Sequence, residues 1–256
     1  MNESLYVCEV GTGTPLVLIH GLLVSGEMFQ GILDQFATRH RVIIPDLRGH
    51  GRSEDLSGPY DVPQHARDLN GVLERLQIES AAVLGYSQGG AVAQQFVRDY
   101  PTRVSGLVLA CTYSCNLLTR RERLEARLLP WILRLIGPKG LAKLISLAGG
   151  GGPRLPPEQR REFARMIAAN DRARALASIG AMTSFDSRPW LSQIAGPTLI
   201  IAGANDTAVP AHHAQMLANG IPGAQLQEVA GAGHTLLWTH PAELVRRTEE
   251  FLSSAG

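Results

Sequence analysis

Cysteine is scarce in this chain, with three in 256 residues, and the scarcity excludes a disulfide-organised fold. Cys8, Cys111 and Cys115 leave an odd thiol over. Cys111 and Cys115 have no second metal-type pair to join, so they read as buried thiols. Charge of one sign is also lacking: the formal net charge is +1, which argues against nucleic acid as the main partner. No apolar stretch approaches the roughly 18 residues of a membrane span. The opening Met1-Asn2-Glu3-Ser4-Leu5 is not that of a signal peptide, and the chain is expected to be cytoplasmic. What is present is 45% hydrophobic and 18% charged residue, enough for one α/β domain with a substantial core, or one such domain with an insertion.

Strand and helix patterns alternate in the first part of the chain. Leu5–Val10, Pro15–Ile19, Arg41–Pro45, Ala81–Leu84 and Val104–Ala110 read as strands. Apolar runs separated by helical segments predict a mostly parallel sheet with helices on both faces. Gly11-Thr12-Gly13 joins the first two strands and is expected to form a hairpin turn. After Cys111 the alternation stops. Leu117–Ile136, Leu141–Leu147, Glu158–Ala169 and Ala173–Met182 read as helices, interrupted by Gly149–Gly152 and by Pro153, Pro156 and Pro157. No Gly-Lys-Ser/Thr follows those glycines, so they form no nucleotide loop. Strands return at Pro197–Ala202 and Ala224–Val229, and a helix over Pro241–Leu252 closes the chain. Residues 1–112 and 189–256 are thus expected to form the α/β core and 113–188 an all-helical lid over the carboxyl edge of the sheet.

The chemistry centres on Ser87, in Gly85-Tyr86-Ser87-Gln88-Gly89 between the run Ala81–Leu84 and the helix-like Ala91–Val97. The pentapeptide alone is weak evidence, but G-x-S-x-G between strand and helix is a nucleophile elbow, a strained turn that lifts the serine Oγ above the sheet. A serine needs a base to take its proton, and the base needs a third group to fix its tautomer. Sheets with such an elbow carry the order Ser, acid, His. Asp206 in Gly203-Ala204-Asn205-Asp206 follows one later strand, and His234 in Ala230-Gly231-Ala232-Gly233-His234 follows the last. The rivals fit less well. Asp171 and Asp186 read as surface carboxylates of the insert, His212 and His213 as solvated or capping residues after Pro210, and His240 as structural. Donors to a developing oxyanion are expected from the backbone N–H of Gln88, which the elbow supplies, and of Leu22 in His20-Gly21-Leu22-Leu23. His20 is expected to brace that loop. The set supplies its own nucleophile and base, so no metal or organic cofactor is implied.

These stretches, with Asp46-Leu47-Arg48-Gly49-His50-Gly51-Arg52-Ser53, resemble those of α/β-hydrolase-fold serine hydrolases throughout the core. Among them the chain is similar to small capped carboxylesterases, including enol-lactonases and the esterase acting on pimeloyl-carrier-protein methyl ester. The resemblance implies bracing roles for Asp46 and Arg52 and no reaction at His50. Tyr86 stands where many relatives carry His, a change expected to matter little because the side chain points away from the hydroxyl. Only one strand precedes Pro15, so the usual first strand is expected to be absent. A Ser nucleophile argues against epoxide hydrolases and haloalkane dehalogenases. The absence of Gly-Pro-Gly after His20-Gly21 argues against carbon–carbon hydrolases.

The expected function is hydrolysis of small-molecule carboxylic esters or lactones through an acyl-enzyme on Ser87, with His234 as base and Asp206 as orienting acid. Acyl transfer or carbon–carbon cleavage on the same triad is the alternative, and a non-catalytic ligand-binding role a remoter one. The lid is the polarised part: residues 113–190 hold 14 Lys and Arg against 6 Asp and Glu, a balance of +8. Leu117, Leu118, Leu124, Leu128, Leu129, Trp131, Ile132, Leu135 and Ile136 suggest an apolar stripe facing the acyl pocket. A basic outer face would then attract an anionic acyl carrier or head group. Solvated helix faces, partly paired with the acidic core, are the favoured reading of the same charges.

Overall fold

The computed structural model describes residues 4–56, 58–147 and 155–255. Its centre is a seven-stranded sheet in the order β1-β3-β2-β4-β5-β6-β7. The strands are β1 (Val7–Val10), β2 (Thr14–Ile19), β3 (His40–Pro45), β4 (Ala81–Tyr86), β5 (Val104–Ala110), β6 (Thr198–Gly203) and β7 (Gln225–Val229). All neighbours pair in parallel except edge strand β1, which runs antiparallel to β3. Among the described residues β1 is the one strand before β2, as expected.

The parallel arrangement follows from strands that are apolar on both faces. In β2, Leu16 and Leu18 join one core cluster while Val17 and Ile19 join another on the opposite face, the period of two expected of extended chain. Helices α1 (Gln30–Ala37) and α8 (Pro241–Ala255) cover the first face. Helices α2 (Val62–Arg75), α3 (Gln88–Asp99) and α7 (Ala211–Gly220) cover the second.

The predicted hairpin at Gly11-Thr12-Gly13 is corrected: β1 and β2 are not neighbours, because β3 lies between them and pairs with both. The wholly buried run Leu16–Ile19 demands a strand on either side, whereas β1 exposes Glu9 and suits an edge. Glu9 meets Arg41 of β3 at 3.0 Å.

Among the described residues, three α-helices lie between β5 and β6: α4 (Arg120–Leu147), α5 (Pro157–Ala169) and α6 (Arg172–Ser184). The gap expected after Ile136 is a kink within α4, where Gly137 takes φ 67° and ψ 176° just before Pro138. The predicted glycine run Gly149–Gly152, with Pro153, lies outside the described residues. Where this cap leaves the sheet its two ends touch: Cys115 and Asp186 form an isolated bridge, and the Ser187 N–H donates to the Ser114 carbonyl at 2.8 Å.

The stripe expected to face the pocket divides. Leu129 and Ile132 pack inward, but Leu124, Leu128, Trp131, Leu135 and Ile136 are exposed. Charge pairing ties the cap to the core at Arg174, which meets Glu54 at 3.5 Å and Asp55 at 3.3 Å, and at Arg165 with Glu27. His212 stays exposed, as expected, but His213 departs from the solvated role expected of it. His213 is fully buried, and both Nε2 atoms approach the Glu122 carboxylate of α4, at 2.8 Å and 3.3 Å. The signal is three-dimensional, since 90 residues separate His212 from its partner.

Three buried histidines meet edge to face, with ring centroids 5.2 Å apart for His20 and His50 and 6.5 Å apart for His50 and His65. Burial depresses their pKa values from 6.5 to about 4 for His20 and about 3 for His50 and His65. The unfolded chain therefore takes up protons on these groups before the folded protein does. Their contribution is intact above about pH 6.5 and is lost as the pH falls toward 3. We expect melting temperature to drop across that window, and to drop less in His65→Leu, because neither His65 ring nitrogen has a hydrogen-bond partner. Equal acid sensitivity in the two proteins, read by thermal melts at each pH, would locate the effect elsewhere.

Candidate active site

Ser87 occupies the turn between β4 and α3 with φ 54° and ψ −119°, a left-handed conformation rare outside glycine. Glycines on either side make the turn possible. A Cβ on Gly85 would lie 2.4 Å from the Gly89 carbonyl oxygen, and one on Gly89 would lie 2.2 Å from that of Ile19. The elbow is thus pressed between its own helix and the end of β2.

The acid and the histidine come from the carboxyl ends of β6 and β7, as their spacing predicts. The Ser87 hydroxyl donates to His234 Nε2 at 3.0 Å, and His234 Nδ1–H donates to Asp206 Oδ2 at 2.9 Å. Asp206 is itself fixed, because its Oδ1 accepts the N–H groups of Ala208 and Val209 at 2.9 and 2.7 Å. The carboxylate is almost fully covered and the imidazole is partly open. The chain of bonds leaves Nε2 free to accept the serine proton.

The loop after β2 closes over Ser87: a Cβ on Gly21 would come 3.3 Å from Ser87 Cβ. Leu22 lines the same cavity, and Gln88 opens α3, where a first-turn N–H has no acceptor within its helix. Both residues predicted to supply oxyanion donors therefore lie beside Ser87. His20 takes the bracing role expected of it. Its Nε2 accepts the Leu47 N–H at 2.9 Å, which places the proton on Nδ1, donated to the Gly21 carbonyl at 2.9 Å. Asp46 also braces, accepting Gly26 N–H at 2.7 Å and Arg52 N–H at 2.9 Å. The Arg52 side chain instead lies over the Tyr6 ring at 4.6 Å. Above Ser87 opens a cavity of about 340 Å³, lined by Leu22, Met28 and Val209 of the core and Ile145, Phe163 and Met182 of the cap.

A family model for the alpha/beta hydrolase fold matches residues 14–241. The chain belongs to that family. This α/β hydrolase is 29% identical to a poly(3-hydroxyalkanoate) depolymerase of Ectopseudomonas oleovorans, over 93% of its own length and 84% of the relative's. It is 28% identical to a solved thermophilic esterase from Thermogutta terrifontis, with a TM-score of 0.86, covering 98% of this chain and 93% of that one. Est816, an N-acyl homoserine lactone degrading enzyme, matches with TM-score 0.82 and 27% identity over 96% of each chain. Hydrolase chemistry is what the family and these relatives have in common.

Two clusters in the described part of this hydrolase bring possible metal-ligand atoms within 4.8 Å of one another. The first is Cys111, Asp206 and His234, where burial pushes the Cys111 thiol up to about 12 and disfavours a thiolate ligand. The second is Glu122, His212 and His213. Glu122 spends one oxygen on the N–H groups of Leu118 and Thr119 and the other on His212, while Thr119 Oγ1 accepts the Glu122 N–H. That is a capping box at the start of α4, extended into a clasp on the core.

Tyr86 has a larger role than the sequence suggested. It is buried, its hydroxyl donates to the His234 carbonyl at 2.7 Å, and it accepts the Leu237 N–H at 3.2 Å. The strand alternation that turns it away from the attacking hydroxyl turns it beneath the histidine loop, a contact no local pattern announces. Leaving both buried partners unsatisfied costs about 1–3 kcal/mol. In Tyr86→Phe we expect kcat about tenfold lower, with KM little changed and the melting temperature reduced. Steady-state kinetics with unaltered kcat would show that the loop holds its histidine without this bond.

Proposed function

We propose that this α/β hydrolase cleaves carboxylic esters or lactones through an acyl-enzyme on Ser87. The observation that carries the reading is the continuous hydrogen-bonded path from Ser87 Oγ through His234 to Asp206, placed at the floor of an apolar cavity. Ser87 attacks the carbonyl as His234 Nε2 accepts its proton, and Asp206 holds the imidazole tautomer and balances the charge that develops on it. The N–H groups of Leu22 and Gln88 receive the oxyanion, each worth roughly 3 kcal/mol in the transition state. His234 then protonates the departing alkoxide, and on the return step activates a water that releases the acid.

The apolar lining favours substrates whose acyl or alcohol part is hydrocarbon, and its volume falls at the lower end of the usual ligand-pocket range. An ester cleaver among the relatives, the poly(3-hydroxyalkanoate) depolymerase, is consistent with that chemistry, as is a lactone-degrading neighbour. Both substrate types undergo one reaction, attack on an ester carbonyl. The setting we propose is cytoplasmic, with no cofactor needed for turnover.

Two outcomes test this. Across p-nitrophenyl esters from acetate to palmitate, kcat/KM should peak at a short or medium chain and vanish in Ser87→Ala, which removes the nucleophile from a folded protein. Activity of Ser87→Ala comparable to wild type would remove the scheme. Asp206→Asn should lower kcat by several orders of magnitude, since the amide admits the wrong imidazole tautomer. A loss of only a few fold would assign the orienting role to another group.

A further inference from the structure

Helix α4 is apolar on two opposite sides. Leu129, Ile132 and Leu133 pack inward, which is ordinary for a cap helix. Leu124, Leu128, Trp131 and Leu135 recur at i, i+4, i+7 and i+11, which sets them in one stripe along the other side. They are 57, 46, 67 and 83% exposed. Single apolar residues on a surface need no explanation, but four large ones in register on a single helix mark a contact face.

The charge around the stripe is of one sign. Helix α4 holds seven Lys and Arg against two carboxylates, and one of those, Glu122, is buried in its clasp on the core. The other, Glu125, is taken by Arg121 at 2.6 Å. Arg120, Arg127 and Arg134 flank the stripe and form no ion pair among the described residues. The Arg134 guanidinium stands 5.7 Å from the Trp131 ring centre. A tryptophan and leucine stripe bordered by arginines is the composition of a helix that lies in the headgroup layer of an anionic membrane. No helix of the described residues is long and apolar enough to cross one.

We infer that this face of α4 docks on the surface of an anionic lipid bilayer, with Leu124, Leu128, Trp131 and Leu135 in the boundary between headgroups and acyl chains and the flanking arginines at the phosphates. Charge complementarity selects this occupant. A second copy meeting the same face across a two-fold axis would set Arg127 and Arg134 against their own counterparts. An acidic protein would answer the charge, but only with a matching apolar groove as well, whereas a bilayer supplies hydrocarbon and negative charge along the whole stripe. Ile145 of the same helix lines the cavity above Ser87, so docking would hold the cap against a source of acyl substrates. That last consequence, unlike the docking, rests on the ester-hydrolase reading.

The test is cosedimentation of the full chain with vesicles of phosphatidylcholine alone and of phosphatidylcholine mixed with phosphatidylglycerol. We expect binding to the anionic vesicles, weakening as salt is raised, with a blue shift in emission that Trp131→Phe removes. Leu128→Glu with Leu135→Glu alters only exposed side chains and should weaken binding at least about tenfold. Arg127→Gln with Arg134→Gln should weaken it while leaving the stripe in place. Hydrolysis of a soluble p-nitrophenyl ester should be unchanged in both double variants, which also reports that they fold. Absence of binding, equal binding to both vesicle types, or double variants that bind like wild type would overturn the inference. So would a dimer, seen by analytical ultracentrifugation, that Leu128→Glu with Leu135→Glu dissociates. Wild type that hydrolyses but does not bind removes the docking alone. Wild type that binds but does not hydrolyse sustains the docking and removes the ester-hydrolase reading.

Discussion

A single non-glycine residue held at φ 54° organises the active end of this molecule. Left to itself, Ser87 would relax, since such a backbone costs of order 1–3 kcal/mol. It is held because the Ser87 N–H donates to the Ala110 carbonyl of β5 at 2.9 Å and its carbonyl accepts from Gly90 N–H and Thr112 Oγ1. The flanking glycines let β4, α3 and the end of β2 approach more closely than any Cβ allows. Strain at one residue is therefore offset by the packing of β4, α3 and the end of β2 around it. The same closeness brings the Gly21-Leu22 loop over the hydroxyl, so the proposed oxyanion site and the proposed nucleophile are set by one constraint.

Around that fixed point the other loops are anchored by buried polar contacts. His20 ties the loop after β2 to the loop after β3, Asp46 ties it again through Gly26, and Tyr86 holds the histidine loop from below. Each anchor is a side chain bonded to a backbone group in another loop. The cap is attached by charge pairs at its rim, by the Asn170 amide donating to the Leu23 carbonyl at 2.9 Å, and by the Glu122 clasp on α7. The side chains around Ser87 are thus held by fixed contacts, while Ile145, Phe163 and Met182 of the cap close the cavity.

The sheet, its parallel sense, the cap's place in the chain and the meeting of Ser87, Asp206 and His234 were all legible in the sequence. Each is written locally, in an apolar run that ends in a glycine-bearing loop. Strand order was not legible at the amino end. The turn Gly11-Thr12-Gly13 looks the same whether the strands it joins are neighbours or are parted by β3, and only the burial of Leu16–Ile19 on both sides settles it. The orientation of α4 was not legible either, because a helix with apolar residues on two faces gives no periodic signal of which face turns inward. Tyr86 and His213 were misjudged for a third reason: their partners, the His234 carbonyl and the Glu122 carboxylate, lie far away in sequence.

The central claim is that Ser87 itself becomes acylated, and rapid quenching reads this directly. Enzyme mixed with excess p-nitrophenyl ester, stopped in acid early in turnover and digested, should give a burst of one nitrophenol per chain and an acyl mass on the peptide containing Ser87. Turnover with the acyl group on another residue, Cys111 included, or with no covalent species in either wild type or the slowed Asp206→Asn variant, would contradict the account.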